Sequence, residues 1–486
     1  MKNILFAITT LSFLIGFSQE KKIAPYFLKQ DFALFENLLN THPQLHEYTT
    51  PEDLTSLIET SRQQLEHSLT PLEFYKTLSL IISNIHDANT RLYAGNNIYT
   101  HDSFYPILFK PISGSLYADI EDQNIPVGSK LISINNIPAD SIISSIKQYV
   151  VSDGENETRK FKKIEAYFGL YHYYEFGSSK SYTSVFETPE GEILNVTLEG
   201  CSFESLNSLN KIRHSYSYKG ENKTNLPYLS YTDDKKVIQL TVNTFGIQPT
   251  QFKNELRKLF SLIENEGFKY LIIDIRENEG GYRENAIELM SYLSKEDFSQ
   301  IRTRSIKTNK YPQTQYLINT FSDEDFNTIY NNGFVSKTDS KKHLMTPKNN
   351  AFNGQVFVLT SGLNTANASL FAMNAKNEDH IQLVGEETGG NYYFHMGGQT
   401  IYYQLPNSKI KVVLPTERIV HDVDFGNNPE GMGVVPHHIV DITVEDLIEG
   451  FDTQLNYIFD TLIPASDKPA LVSKPSLPHQ GIQAVR

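Results

Sequence analysis

The chain has a single cysteine, Cys201, so no disulfide can form within it and no cysteine-based metal cluster can be assembled. It has no tryptophan, and with 28 Tyr and 29 Phe its core and any binding groove must be built from phenyl and phenol rings. Positive charge is in deficit: 43 basic against 57 acidic residues leave a formal charge of −14. A surface of that sign repels a phosphate backbone and argues against a nucleic-acid partner. Beyond the first residues no segment is long and apolar enough to span a bilayer.

What is present is a globular composition, 39% hydrophobic and 21% charged over 486 residues, which is more than one ordinary domain needs. The beginning, MKNILFAITTLSFLIGFSQE, pairs one Lys with an apolar run from Ile4 to Phe17. Gly16 and Ser18 stand at −3 and −1 of a cut before Gln19. That is the layout of a secretory signal peptide over residues 1–18, so the mature protein is expected to be exported, periplasmic or secreted. The run is shorter than a membrane anchor requires. No cysteine follows it to carry a lipid.

Residues 19–97 read as a helical region. Thr50-Pro51-Glu52-Asp53 and Thr70-Pro71 each place a hydroxyl cap before a proline at the first helical position. From about 98 to 205 the pattern turns to short strands. There PVGSKLISINNIPADSIISSI, Pro126 to Ile146, resembles the "G-D-x-I-x-x-I-N-G" portion of a PDZ domain, with Ser129 and Asn136 replacing Asp and Gly. The polar stretch Cys201 to Lys236 reads as a boundary. Beyond it strands and helices alternate in an α/β layer over 206–463, with strands at Val237–Val242, Tyr270–Ile275, Gln355–Thr360 and Gln382–Val384. After Pro464 the tail loses periodicity, and 464–486 is expected to be disordered.

Three segments carry chemistry. LIIDIRENEGGYRENAIEL runs a buried strand into Gly280-Gly281, where backbone N–H groups can face an anion. VFVLTSGLNTANASLFAMNAKN is a strand, a loop and a helix opening on small residues, a geometry that can present a nucleophile or simply pack closely. LVGEETGGNYYFHMGG leads a glycine-rich turn into a hairpin. Their order, with L-P-N-S-K-I and E-G-x-G-V-x-P following, resembles the tail-specific, or C-terminal-processing, serine peptidases, relatives of the tricorn core protease.

This resemblance runs from about Asp31 to Phe459 and implies an α/β fold with a crotonase-like ββα core, an N-terminal helical segment and a PDZ-like β-rich insert. It implies peptide-bond hydrolysis through an acyl-enzyme, no cofactor, and a polypeptide or protein C-terminal segment as partner. Carried over residue by residue, the oxyanion glycines are Gly280 and Gly281. The nucleophile position holds Ala366, and Ser369 is the fallback nucleophile. The base position in the D-G-H-T pattern holds Asn89, the position of the alternative lysine holds Asn391, and the supporting acid is kept as Glu430. Ala has no attacking atom and an amide takes no proton at neutral pH, so the expectation is a silent member of the family. An active serine-type endopeptidase with a relocated nucleophile, Ser369, and a relocated base, His395 or His86, and a binder of non-peptide ligands such as glycans are the rivals. His421, Asp422, His437 and His438 fit no closed metal site, and no metal is expected.

Overall fold

A computed structural model describes residues 21–95, 98–99, 103–120, 125–209, 213–214, 225–232, 236–308, 310–319, 336–337, 344–467 and 482–485. The signal-peptide reading lies outside the described residues.

The front of the chain forms three helices, α1 (Pro25–Leu39), α2 (Pro51–Gln64) and α3 (Pro71–Ser83), each with proline in its first turn. Thr50 caps α2, and Thr70 with Glu73 closes a reciprocal capping box on α3. Their apolar faces (Phe32, Phe35, Phe74, Leu78, Ile81) share one core with Ile401, Tyr403, Val412 and Leu414 from the C-terminal half. Buried Asp31 fixes that contact by accepting from the Ser408 N–H at 2.7 Å and the Ser408 hydroxyl at 2.6 Å. β1 (Arg91–Tyr93) follows.

The next unit is an antiparallel sheet of β2 (Phe109–Ile112), β3 (Ser115–Ala118), β4 (Lys130–Ile134), β5 (Ile137–Pro138), β6 (Ser181–Glu187) and β7 (Ile193–Glu199). It is packed by α4 (Ala139–Lys147) and α5 (Glu157–Phe176) around Phe109, Ile142, Ile146, Phe168 and Phe186. His172 lies in this core among Tyr105, Phe168, Phe176 and Tyr182, and its Nδ1 has no hydrogen-bond partner among the described residues. Burial lowers its pKa from 6.5 to about 4. Between those values the unfolded chain takes a proton that the folded chain refuses, so this site costs stability as pH falls. His172→Phe should therefore stabilise the fold by about 1 kcal/mol at neutral pH, by removing an orphaned polar atom. Its advantage should grow by about 3 kcal/mol on descending to pH 4, as read by urea midpoints across pH; an advantage independent of pH would refute this account.

Residues 201–236, which the sequence presents as a polar boundary, contain α6 (Phe203–Leu209) and β8 (Tyr228–Thr232). The α/β half continues through β9 (Val237–Thr241), α7 (Pro249–Glu266), β10 (Tyr270–Asp274), α8 (Arg283–Ser291), β11 (Ile301–Ile306) and β12 (Ser336–Lys337). Then come β13 (Gln355–Thr360), α9 (Asn367–Lys376), β14 (Ile381–Gly385), the long hairpin β15 (Phe394–Gln404) and β16 (Lys411–His421), and β17 (His438–Ile439). α10 (Val444–Glu449), α11 (Thr453–Tyr457) and β18 (Ile482–Val485) complete the described elements, and the rest of the tail after 467 lies outside them.

One sheet runs β17-β14-β13-β10-β9-β8-β18, with its centre parallel. The other joins β1, β16, β11, β12 and β15. α7, α8 and α9 cover one face of the parallel sheet, and α11 with the residues after it covers the other. Both faces are dry, which is why β10 and β13 read as unbroken apolar runs. The C-terminal ends of β10, β13 and β14 lie side by side, the edge at which open α/β sheets place their crevice.

Candidate active site

Two loops leaving that edge are sewn together. After β10, Asn278 donates to the Val242 carbonyl at 3.1 Å and accepts from the Gly280 N–H at 2.9 Å. Gly280 and Gly281 have φ of +103° and +135°. A Cβ on Gly281 would stand 2.2 Å from the Phe245 and Gly246 backbones, so only glycine fits there. The Gly280 N–H is thus engaged internally, whereas the Gly281 N–H has no partner among the described residues. After β13, the Asn364 amide donates to the Asn278 carbonyl at 3.0 Å, the Thr365 hydroxyl to the Glu279 carbonyl at 3.1 Å, and the Asn367 amide to the Gly281 carbonyl at 2.7 Å.

Between them sits Ala366, the residue before α9, at φ +48° and ψ −123°. A side chain rarely tolerates that region, and holding one there costs about 1–3 kcal/mol. A Cβ built on Gly280 would lie 3.3 Å from the Ala366 methyl and 3.4 Å from the Asn367 nitrogen. A strained helix entrance therefore presents a β-carbon to a glycine loop, and that β-carbon bears no oxygen.

Ser369 is one turn deeper and buried. Its hydroxyl bonds the Gly390 carbonyl at 2.8 Å and the Thr388 hydroxyl at 2.9 Å, and among the described residues it bonds neither an imidazole nor a carboxylate. Asn89 is half-buried, its side-chain amide donating to the Met396 carbonyl at 2.8 Å and its backbone N–H to Asp87 at 3.0 Å. No hydrogen bond joins Asn89 to Ala366 or Ser369 among the described residues. Asn391 is buried, donating from its side chain to the Tyr48 hydroxyl at 2.7 Å and from its backbone to Asp153 at 3.1 Å. Glu430 is exposed and has no hydrogen-bond or ion-pair partner among the described residues. The carboxylate engaged by that loop is Glu387, which accepts from the Gly433 N–H at 2.6 Å and the Asn156 amide at 2.8 Å; burial raises its pKa.

The spare imidazoles find partners away from Ala366. His421 Nδ1 must donate to the Tyr392 carbonyl at 2.7 Å, so its Nε2 accepts from His395 Nδ1 at 2.7 Å. Burial lowers the pKa of both, which keeps the pair neutral. His86 Nδ1 donates to the Gly154 carbonyl at 3.1 Å. His437 accepts from the Leu383 N–H at 2.9 Å, and His438 bonds Gln382 at 3.0 Å. Among the described residues no three or more His, Cys, Asp or Glu converge as metal ligands.

Two charged features escape a reading of the sequence. Asp153 accepts from the Ala88 and Asn391 N–H groups; burial and then Asp87 push its carboxyl up to about 7. Arg159 and Lys163 of α5 meet Glu279 of the loop after β10. Neither carries a motif, and the partners are 65 to 238 residues apart.

Comparison with known proteins agrees with this architecture. Residues 236–440 match Peptidase family S41. The structure of mature CPAF complexed with lactacystin is 17% identical, with a TM-score of 0.64 over 89% of this chain and 97% of that one. Mature CPAF alone is 16% identical, with a TM-score of 0.64 over 89% and 96%. At that identity the likeness is one of fold. No curated protein matches. Among the described residues no helix is long and apolar enough to cross a membrane.

Proposed function

We propose that the protein is an exported, polypeptide-binding member of the tail-specific serine peptidase family whose cleft holds a segment of chain without cutting it. The observation that carries this reading is Ala366. Its strained backbone and its approach to Gly280 are what a nucleophile would need, and its side chain is a methyl group. Asn89 at the base position supports it, because an amide whose NH2 donates to the Met396 carbonyl is not basic enough to take a hydroxyl proton at neutral pH. Nucleophile and base act as a unit, and losing either costs about 10⁶ in turnover in a comparable triad. Export rests on the layout of residues 1–18.

Purified chain beginning at Gln19 should bind unfolded casein yet release no peptides, and a fluorophosphonate probe should leave its mass unchanged. Turnover or an adduct abolished by Ser369→Ala would overturn the reading in favour of a relocated nucleophile.

A further inference from the structure

Arg159 is 2% exposed, near the start of α5. Its Nε donates to the Val151 carbonyl at 3.1 Å and its Nη2 stands 3.8 Å from Glu279, but its Nη1 has no partner among the described residues. Arg91 of β1, two residues beyond Asn89, likewise has a buried, unpartnered Nε. Lys163, one turn along α5, lies 2.6 Å from Glu279, and burial and then Arg159 lower its pKa to about 8. All three cations interact electrostatically with Glu279. The carboxylates facing them are Glu279 and, beyond Arg159, Asp153, whose oxygens already receive the Ala88 and Asn391 N–H groups. The cluster thus has more positive charge than it pairs, and it holds two buried guanidinium nitrogens with no partner among the described residues. Leaving such donors empty is costly, more so when they are charged.

The cluster borders the loop that faces Ala366. Glu279 precedes Gly280, which faces the Ala366 methyl, and the Glu279 carbonyl is held by Thr365. We propose that Arg159, Arg91 and Lys163 form an anion subsite beside Ala366 that takes a carboxylate of the bound polypeptide, and that Glu279 is an internal carboxylate competing for it. The ligand chemistry is two oxygens on one carbon, supplied by an Asp or Glu side chain or by a free C-terminus, which suits a guanidinium fork. This rests on the reading that the cleft binds polypeptide.

The test uses the mature chain and fluorescein-labelled short peptides of Ala, Ser and Tyr with one central Glu, their Gln counterparts, and both as C-terminal amides, followed by anisotropy. A charge-assisted pairing of this kind should give the Glu peptide about tenfold tighter binding than its amidated Gln counterpart, lost in high salt. Preference that follows the central residue identifies a side chain, and preference that follows the free terminus identifies the C-terminus. Lys163→Met should abolish it. Glu279→Gln should strengthen the acidic peptide severalfold and leave the amidated Gln peptide unchanged. Both variants are at the partly open side of the cluster, so the test does not depend on replacing buried Arg159. Equal binding of all peptides overturns the subsite and spares the peptide-binding reading; absence of any binding overturns both.

Discussion

Ala366→Ser alone leaves the protein unreactive toward a fluorophosphonate, Asn89→His alone does the same, and the double variant becomes labelled: this is the expected result. The first substitution adds one oxygen to a β-carbon already held at the helix entrance against Gly280. A serine there has no imidazole bonded to it: His395 donates from Nδ1 to His421, His421 donates to the Tyr392 carbonyl, and no hydrogen bond joins either ring to the Ala366 loop among the described residues. A histidine at position 89 can keep the bond that Asn89 now makes to the Met396 carbonyl by donating from Nδ1. That choice of tautomer leaves Nε2 as an acceptor. A positioned general base is worth about 10²–10⁴ in rate, so labelling of the double variant should exceed either single by roughly 10³. Labelling of the Ala366→Ser single variant would show that a base already reaches this point. Silence of a folded double variant would remove Asn89 from the base position.

Much of the scaffold could be read locally. Thr50-Pro51 and Thr70-Pro71 mark α2 and α3 because capping is decided within four residues. The strands β9, β10, β13 and β14 announce themselves because burial on both faces removes polar alternation. Composition does not report pairing: within the polar stretch 201–236, β8 joins the sheet by adding to β9, not by apolar content. The chemistry of the site divides in the same way. An absent oxygen at Ala366 is visible in a single letter, whereas the strain at φ +48° is visible only once the loop is built. The partners Lys163 and Glu279, Asn391 and Tyr48, and Asp31 and Ser408 are brought together by tertiary packing, and no spacing rule anticipates them.

The largest expected loss of stability follows from Arg276, which the sequence shows only as part of a motif. Its side chain is 1% exposed, and it is gripped from two directions. Asp274 accepts at 3.0 and 2.7 Å, Asp452 at 2.7 and 2.8 Å, and Gln454 at 3.2 Å. Asp274 ends β10 and Asp452 caps α11, so one guanidinium ties the sheet edge to the covering helix. Its carbonyl also accepts the Ser361 hydroxyl, which links the loops after β10 and β13. Arg276→Ala leaves two carboxylates facing each other out of water, and breaking a buried pair by removing one partner costs about 3–5 kcal/mol. The denaturant midpoint should fall accordingly with an unchanged slope. Because the loss comes from stranded charge, Arg276→Ala with Asp452→Ala should cost less than the sum of the singles by about 1–3 kcal/mol. Strict additivity would mean that the residues act separately, and then the Gly280 loop would owe its position to the Asn278 and Asn364 bonds alone.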